Sequence, residues 1–378
     1  MYICTKIFQI NSENQTAMRT IFLKALQQKE LTLEEGVFLY KHAPLAQLMF
    51  VANELRKIHR PDNVVTWIID RNVNIGNVCV SRCKFCNFHC LPGSGKAYVT
   101  TLEEYDEKIA VLEELDGNQL LIQGGMNPRL GLDFYIQLFS ELKRRHPNIL
   151  LHALGPPEIA YLAQRERCTP MEVLKTLHAA GLDSLPGAGA EILVDRVRRI
   201  ISPGKCYAEM WLGIMHDAHQ LGLITSATMM YGHIETIEER VQHLIALREL
   251  HNRRPAHSKG FTAFIPWAFY SKGTQLAAEF PRDYSIHSAE YVRMIAISRI
   301  LLPTIENIQA SWLTVGLPTA QLCLHAGAHD LGSIMIEENV VSQAGARFTA
   351  QKEELKHAIV QAGFIPKLRN QGYEIIEP

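Results

Sequence analysis

The sequence lacks an excess of charge of either sign. Its 38 Lys and Arg residues face 39 Asp and Glu residues, which gives a formal net charge of −1. Proteins that bind nucleic acid or anionic membranes usually carry a basic excess, so neither class finds support here. No run of 18 uninterrupted apolar residues occurs, and the N-terminus has no signal-peptide pattern. We therefore expect a soluble, cytoplasmic protein.

Low-complexity tracts and Pro/Ser-rich linkers are also missing. Apolar residues make up 47% of the chain, which excludes intrinsic disorder and fibrous repeats. A length of 378 residues is compatible with two domains or with one large barrel. We expect a helical extension over 1–60, a barrel over 61–345, and a C-terminal helix and tail over 346–378.

Short apolar runs alternate with helical patterns after residue 60. Leu102, Tyr105, Ile109 and Leu112 form one apolar face of such a helix, which Thr100 or Thr101 can cap. Alternation of this kind indicates parallel β/α units. Eight candidate strands predict an α/β fold of the (βα)8 TIM-barrel type, complete or incomplete: Val64–Ile69, Gln119–Ile122, Ile149–Leu154, Gly181–Leu185, Ile224–Met230, Gly260–Ile265, Asn307–Trp312 and Gly332–Ile336.

Four of the eight cysteines fall within twelve residues, which is unlike a secreted disulfide scaffold. Cys79, Cys83 and Cys86 have C-x3-C-x2-C spacing directly after the first predicted strand. Three thiolates from one loop can hold three corners of a cubane [4Fe–4S] cluster and leave the fourth iron open. Structural zinc requires four ligands, usually from two pairs, and here would need His89 and Cys90. The cluster is favoured and zinc is the alternative.

The motif resembles that of the radical S-adenosylmethionine (SAM) superfamily. Phe85 matches the aromatic position before the last cysteine, which in that superfamily helps to hold the adenine. The resemblance implies that the open iron binds SAM. An electron from the cluster then cleaves SAM to methionine and a 5′-deoxyadenosyl radical, which abstracts a hydrogen atom from the substrate.

Further candidates for the SAM site lie where later strands end. Gly124 and Gly125 follow the second strand and allow close backbone approach to a ligand; the resemblance places them at the SAM amino group. Glu191 follows the fourth strand at the barrel face that carries active sites, and can accept from ribose hydroxyls or begin a helix. Arg196 on the next helix can bind a carboxylate or face solvent.

Candidates for acid–base chemistry follow the fifth and eighth strands. His233 and Glu235 can move protons at the barrel top, or serve structure alone. Asp330 and Glu338 flank the eighth strand. Either carboxylate can take the proton that is lost when an aromatic ring is restored.

Longer segments are similar to the branch of the superfamily that serves the futalosine route to menaquinone. Residues 76–86, 152–158, 186–191, 227–236 and 264–267 carry this similarity, and residues 310–314 and 332–341 favour its dehypoxanthine futalosine cyclases over its aminofutalosine synthases. A cyclase would abstract the ribose C4′ hydrogen, close a ring onto the carboxyphenyl group and release one electron and one proton. The resemblance implies a small-molecule substrate, dehypoxanthine futalosine, and an electron donor such as flavodoxin or ferredoxin. A non-catalytic, zinc-stabilised barrel is the alternative from another class.

The chain departs from that branch directly after Cys86. The usual Ala-Phe-Tyr-Arg is replaced by Asn87-Phe88-His89-Cys90. An arginine and a tyrosine near the cluster are therefore missing, and Cys90 offers a competing thiol.

Overall fold

The structure, a computed structural model, describes residues 13–334, 336–337 and 350–376. Its chain begins with three helices, α1 (Glu13–Leu26), α2 (Leu33–His42) and α3 (Leu45–His59). Helix α3 packs against a helix of the barrel, and the apolar side chains of both belong to one continuous hydrophobic core. The N-terminal helices therefore cover the barrel instead of forming a core of their own.

The strands form two parallel sheets. The larger sheet holds seven strands in chain order, and the smaller one has the order β10-β1-β9. Their bounds are β1 (Val64–Ile68), β2 (Asp70–Asn74), β3 (Gln119–Gln123), β4 (Leu150–Ala153), β5 (Ser184–Leu185), β6 (Ile224–Tyr231), β7 (Phe261–Ala268), β8 (Asn307–Ile308), β9 (Asp330–Ser333) and β10 (Ile365–Leu368).

Helices connect the strands and cover the outside of the sheet, as parallel β/α units require. They are α4 (Leu102–Glu114), α5 (Leu132–Arg145), α6 (Pro156–Glu166), α7 (Pro170–Ala179), α8 (Asp195–Ile201), α9 (Ala208–Gln220), α10 (Ile237–Asn252), α11 (Gln275–Glu279), α12 (Ser288–Leu301), α13 (Trp312–Val315), α14 (Leu317–Leu324) and α15 (Lys352–Gln361). Thr101 caps α4: its hydroxyl accepts from Glu104 N at 3.2 Å, and Glu104 accepts from Thr101 N.

The α/β barrel prediction is confirmed, and the barrel is incomplete. The chain stays extended past Ile69, where the first strand was predicted to end, and forms two strands in succession. The first of them, β1, pairs with β9 and β10, and the second, β2, pairs with β3. An isolated bridge between Gln309 and Asp330 links β8 to β9. The sequence predicts an extended tail at Tyr373–Ile376, whereas the last strand, β10, lies earlier, at Ile365–Leu368. The reason is that β10 pairs with β1, a partner about 300 residues away that local periodicity cannot reveal.

The strands enclose a cavity of about 360 Å³. Side chains of β2, β3, β6 and β7 line it, and the cysteine loop that follows β2 lies at the carboxyl end of the strands. Barrel enzymes place their sites at this end, and the volume is in the range of small-molecule pockets.

Candidate functional site

The three motif cysteines line one wall of the cavity as free thiols. Ser81 lies between two of them, with its Oγ 3.0 Å from Cys79 Sγ and 3.2 Å from Cys83 Sγ. Burial raises the pKa of Cys83 to about 12. For Cys86, burial also raises the pKa, but hydrogen bonds from His89 and Phe88 outweigh it and the net direction is downward.

Gly125 holds the loop after β3 against the cysteine loop. A Cβ atom at this residue would lie 2.5 Å from Cys79 Cβ and would also meet the carbonyl oxygen of Val78. Met126 N lies 3.4 Å from Cys79 Sγ and donates to it. The predicted Gly124 and Gly125 both line the cavity, and Gly125 is there because no larger residue fits beside the first cysteine.

Cys90 and His89 differ in where their side chains lie. The Cys90 backbone pairs with the start of the loop, donating to Asn77 O at 2.8 Å and accepting from Cys79 N at 3.1 Å. Its side chain is not among those that line the cavity, whereas His89 is. His89 Nδ1 lies 3.0 Å from the carbonyl oxygen of Cys86. Over the residues that the structure describes, no three His, Cys, Asp or Glu side chains are grouped to hold a single metal ion.

Glu191 lines the cavity near the cysteines, and its charge acts on the pKa of Cys83. Its φ of +42° is in the left-handed region, which is rare for a residue other than glycine and typical of functional sites. Its Oε1 binds Lys205 Nζ at 2.8 Å, while its buried Oε2 has no hydrogen-bond partner in the described chain. The Lys205 ammonium also lies 5.4 Å from the centre of the Phe85 ring. Glu191 Oε2 lies 3.9 Å from Arg198 Nη1, an ion-pair distance, but it accepts no hydrogen bond in the described chain, so it can accept one from a ligand.

Arg196 does not belong to this group. Its half-exposed guanidinium binds Glu239 through two hydrogen bonds of 2.6 Å and does not line the cavity. The cation beside Glu191 is Lys205, which sequence reasoning missed because no local pattern marks a lysine fourteen residues downstream. Although burial acts to lower the pKa of Lys205, the neighbouring Cys83 and Glu191 raise it, so the ammonium form is favoured.

Glu158 is a second missed residue, at the start of α6. It lines the cavity, and burial raises its pKa to about 7 against the opposing charge of Lys205. The motif that contains it was noted in the sequence, but the helix-start position offered no reason to expect a buried carboxyl group. Glu158 and Glu191 thus share one ammonium group on this wall.

His233 and Glu235 lie outside the cavity, behind β6. Glu235 accepts hydrogen bonds from Gly232 N, His233 N and Arg240 Nε at 2.6, 2.9 and 2.8 Å. Burial acts to raise its pKa, but the charges and hydrogen bonds of His233 and Arg240 hold it well below the usual range. The short turn after β6 folds back on itself, so both side chains bind within the turn and do not line the cavity.

Asp330 is also occupied by structural contacts. Its carboxylate accepts from Arg369 at 2.6 and 3.0 Å, from Thr66 at 2.6 Å and from Gly332 N at 2.8 Å. It is fully buried and does not line the cavity. The Asp330–Arg369 pair joins β9 to the C-terminal tail. In this position Asp330 is not placed to accept a proton in the cavity, which is the role that the sequence predicts for it. Glu338 lies outside the described residues.

The lower part of the cavity is lined by polar residues of β2, β4 and the C-terminal tail. Asp70 and Asn72 come from β2, and Gln371 comes from the tail. His152 of β4 lies 2.7 Å from Ser184 Oγ, and burial lowers its pKa to about 3, so its ring is neutral. Arg369 also lines this region, but Asp330 balances its charge, so the region can bind a polar molecule mainly through hydrogen bonds.

The chain matches two family models. The model of the radical SAM superfamily matches residues 73–247, and the model of the CofH/MqnC C-terminal region matches residues 258–378. No helix among the described residues is long and apolar enough to span a membrane.

Curated relatives match over nearly the whole chain. A cyclic dehypoxanthine futalosine synthase from Streptomyces coelicolor is 39% identical over 94% of this chain and 88% of its own length. A protein of the same name from Halalkalibacterium halodurans is 37% identical over 94% of each chain. A 5-amino-6-(D-ribitylamino)uracil–L-tyrosine 4-hydroxyphenyl transferase from Archaeoglobus fulgidus is 38% identical over 86% of this chain and 93% of its own.

Solved structures share the fold at low identity. Methylornithine synthase matches with a TM-score of 0.69 at 17% identity, over 93% of this chain and 98% of its own. The [FeFe]-hydrogenase maturase from Carboxydothermus hydrogenoformans matches with a TM-score of 0.72 at 14% identity, over 98% of this chain and 83% of its own. These structures therefore share the overall fold of this chain.

Proposed function

This chain belongs to the radical SAM superfamily, and we propose that within it the chain is a cyclase that converts dehypoxanthine futalosine to cyclic dehypoxanthine futalosine. The observation that carries the proposal is the 39% identity to the Streptomyces cyclase over 94% of the chain. The enzyme would remove the ribose C4′ hydrogen, join that carbon to the carboxyphenyl ring, and release one electron and one proton. The product serves menaquinone biosynthesis.

The residues present fit the two cofactors of the superfamily, a [4Fe–4S] cluster and SAM. Three free thiols line one wall, and Gly125 leaves space for the cysteine loop to approach. Near them, Glu191 Oε2 is a buried acceptor without a hydrogen-bond partner among the described residues. When bound, the cofactors supply a 5′-deoxyadenosyl radical that takes a hydrogen atom from the substrate. Cys79, Cys83 and Cys86 would hold the cluster.

The remaining residues of this wall would orient SAM. Glu191 Oε2 can accept a hydrogen bond from a hydroxyl or ammonium group, and the Lys205 ammonium can bind a carboxylate. Phe85 offers an aromatic face beside Lys205. Gly124 and Gly125 offer backbone groups at close range. In this assignment Arg196 has no role at the cofactor.

The barrel also shields the reaction from water. The cavity is enclosed by strands whose outer faces are covered by helices, so a carbon radical formed inside meets few other hydrogen donors. Asn72, His152 and Gln371 provide neutral hydrogen-bonding groups for the sugar hydroxyls. An external one-electron donor, such as a flavodoxin or ferredoxin, would reduce the cluster.

An anaerobic assay tests the proposal. Reconstituted protein, a chemical reductant, SAM and dehypoxanthine futalosine are combined, and the products are identified by mass spectrometry. We expect 5′-deoxyadenosine together with a product two hydrogens lighter than the substrate. The Cys86→Ser variant is the matched control and should yield neither. Formation of 5′-deoxyadenosine without the lighter product would refute the cyclase assignment and retain the superfamily.

A second candidate function is favoured by the Archaeoglobus relative, which is nearly as similar as the cyclases. The same assay with 5-amino-6-(D-ribitylamino)uracil and L-tyrosine tests for 4-hydroxyphenyl transfer. The third possibility, aminofutalosine synthase, is tested with the substrate of that enzyme. Iron and acid-labile sulfide analysis separates all three from a zinc-stabilised, non-catalytic barrel.

A further inference from the structure

Asp70 is a buried carboxyl group at the lower end of the cavity. It is the first residue of β2, lines the cavity and is 7% exposed. Its Oδ2 lies 3.5 Å from Gln119 Nε2, a weak contact, and its buried Oδ1 has no hydrogen-bond partner in the described chain. A buried acceptor in this state costs free energy unless water or a ligand satisfies it. The cavity can therefore hold a further polar group that satisfies Asp70 Oδ1.

The position of Asp70 along the strand separates it from the cofactor residues. Asp70, Asn72 and Asn74 alternate along β2, and all three line the cavity. At about 3.3 Å per residue, Asp70 lies about 13 Å from Asn74, which immediately precedes the cysteine loop. Asn72 Oδ1 is likewise buried without a partner among the described residues. A molecule bound below the cofactors would contact this row of oxygens.

The other carboxyl groups near the cavity lie on the cofactor wall or are paired. Among the described residues that line the cavity, the carboxyl groups besides Asp70 are Glu191, which binds Lys205 Nζ at 2.8 Å, and Glu158, whose pKa the Lys205 charge lowers against burial. Asp330 is saturated by Arg369 and Thr66. Asp70 Oδ1 is thus available to accept a hydrogen bond or a proton on the substrate side of the cavity.

The surroundings of Asp70 also strengthen it as a base. Burial raises its pKa, and Ser333, Arg369 and Gln119 oppose that shift only in part. A carboxylate of raised pKa is a better proton acceptor than one in water. Arg369 is the nearby cation, but it is held by Asp330 and so does not neutralise Asp70 directly.

We propose that Asp70 Oδ1 accepts the proton that leaves the carboxyphenyl ring in the last step of the cyclisation, an inference that rests on the proposed function. Once the C4′ radical has bonded to a ring carbon, the ring is a cyclohexadienyl radical. It gives one electron to a one-electron acceptor of the iron–sulfur or flavin class. Its C–H bond then breaks, the bonding pair restores the aromatic ring, and the proton passes to Asp70. The substrate has then lost two hydrogens, one to the adenosyl radical and one as this proton and electron.

The test compares Asp70→Asn and Asp70→Glu with the native holoenzyme. Iron content and 5′-deoxyadenosine formation report folding and cofactor loading. For Asp70→Asn we expect 5′-deoxyadenosine to persist while the lighter product falls about 100-fold, the size of a general-base contribution. Asp70→Glu should restore part of the product. With substrate deuterated at the reacting ring position, Asp70→Asn should show a larger isotope effect on product formation than the native enzyme.

Glu191→Gln is the matched control, because it changes a carboxyl group on the cofactor wall of the same cavity. It should lower 5′-deoxyadenosine and product in step. If Asp70→Asn also lowers both in step, or leaves the product unchanged, Asp70 is not the proton acceptor. If Asp70→Asn fails to load iron, the Asp70→Glu variant decides: a yield of product per 5′-deoxyadenosine and an isotope effect that both equal the native values would overturn the proposal. A native enzyme that forms no lighter product would instead refute the cyclase function, and this proposal with it.

Discussion

The Asp330–Arg369 pair allows a direct test of whether Asp330 serves structure or chemistry. The side chains are 0% and 3% exposed, and Arg369 donates to both carboxylate oxygens. The Asp330→Asn substitution removes the charge while it retains the size and some hydrogen bonds. It leaves a buried guanidinium without a counter-charge, which costs about 3–5 kcal/mol. We therefore expect a loss of stability and little loss of chemistry.

The expected shift in melting temperature follows from the chain length. At about 2.1 cal/mol/K per residue, 378 residues give an unfolding entropy of about 0.8 kcal/mol/K. A loss of 3–5 kcal/mol then lowers Tm by about 4–6 °C. The measurement is anaerobic thermal unfolding of the holoenzyme, paired with the yield of product per 5′-deoxyadenosine below the transition.

A control variant isolates the effect of burial. Lys41 and Glu238 form an exposed pair, so Glu238→Gln should change stability by about 1 kcal/mol or less. The reasoning is refuted if Asp330→Asn melts like the native enzyme. It is also refuted if the variant melts normally yet yields no product, since Asp330 would then act in the chemistry.

Three further predictions concern the cavity walls. Gly125→Ala should reduce iron loading, because the added methyl group would lie 2.5 Å from Cys79 Cβ; iron per protein checks this. Cys90→Ser should keep full iron loading while Cys86→Ser loses it, because the Cys90 side chain does not line the cavity. Glu158 has a raised pKa, so it binds its proton more tightly when folded, and its contribution to stability falls as pH rises from about 4.5 to about 7. Glu158→Gln should flatten that decline in chemical denaturation.

Each of these predictions has an outcome that contradicts it. Normal iron loading in Gly125→Ala would mean that the loop after β3 can move away from the cysteine loop. Loss of iron in Cys90→Ser would make Cys90 a ligand during cluster assembly. An unchanged pH dependence in Glu158→Gln would mean that this carboxyl group is ionised normally in the folded protein.

The features predicted well from the sequence are those that local spacing controls. The helix α4 and its Thr101 cap lie within one residue of the expected limits, because apolar periodicity and capping act over a few residues. The barrel followed from strand–helix alternation in the same way. The sequence predicts that the first strand ends just before Asp70, because a charged residue is typical of a strand boundary. In fact Asp70 begins β2 and faces into the barrel.

Assignments of single polar residues were less successful. Arg196 was expected at the cofactor and instead binds Glu239. The turn residues His233 and Glu235 were expected at the barrel top and are buried behind β6. A sequence shows that a polar residue follows a strand, but the direction of the side chain depends on how the turn packs. Burial and partners, which decide its pKa and its role, are set by residues far along the chain.

The sequence by itself determined the cofactor chemistry of this protein. Three cysteines within eight residues must lie close together whatever the rest of the chain does, because their separation is limited by covalent geometry. Only the tertiary structure decided which carboxyl group keeps an acceptor atom in the lower cavity. Arg369 closes on Asp330 from 39 residues away, whereas no ion pair forms at Asp70 among the described residues, so packing leaves Asp70 Oδ1 without a hydrogen-bond partner there.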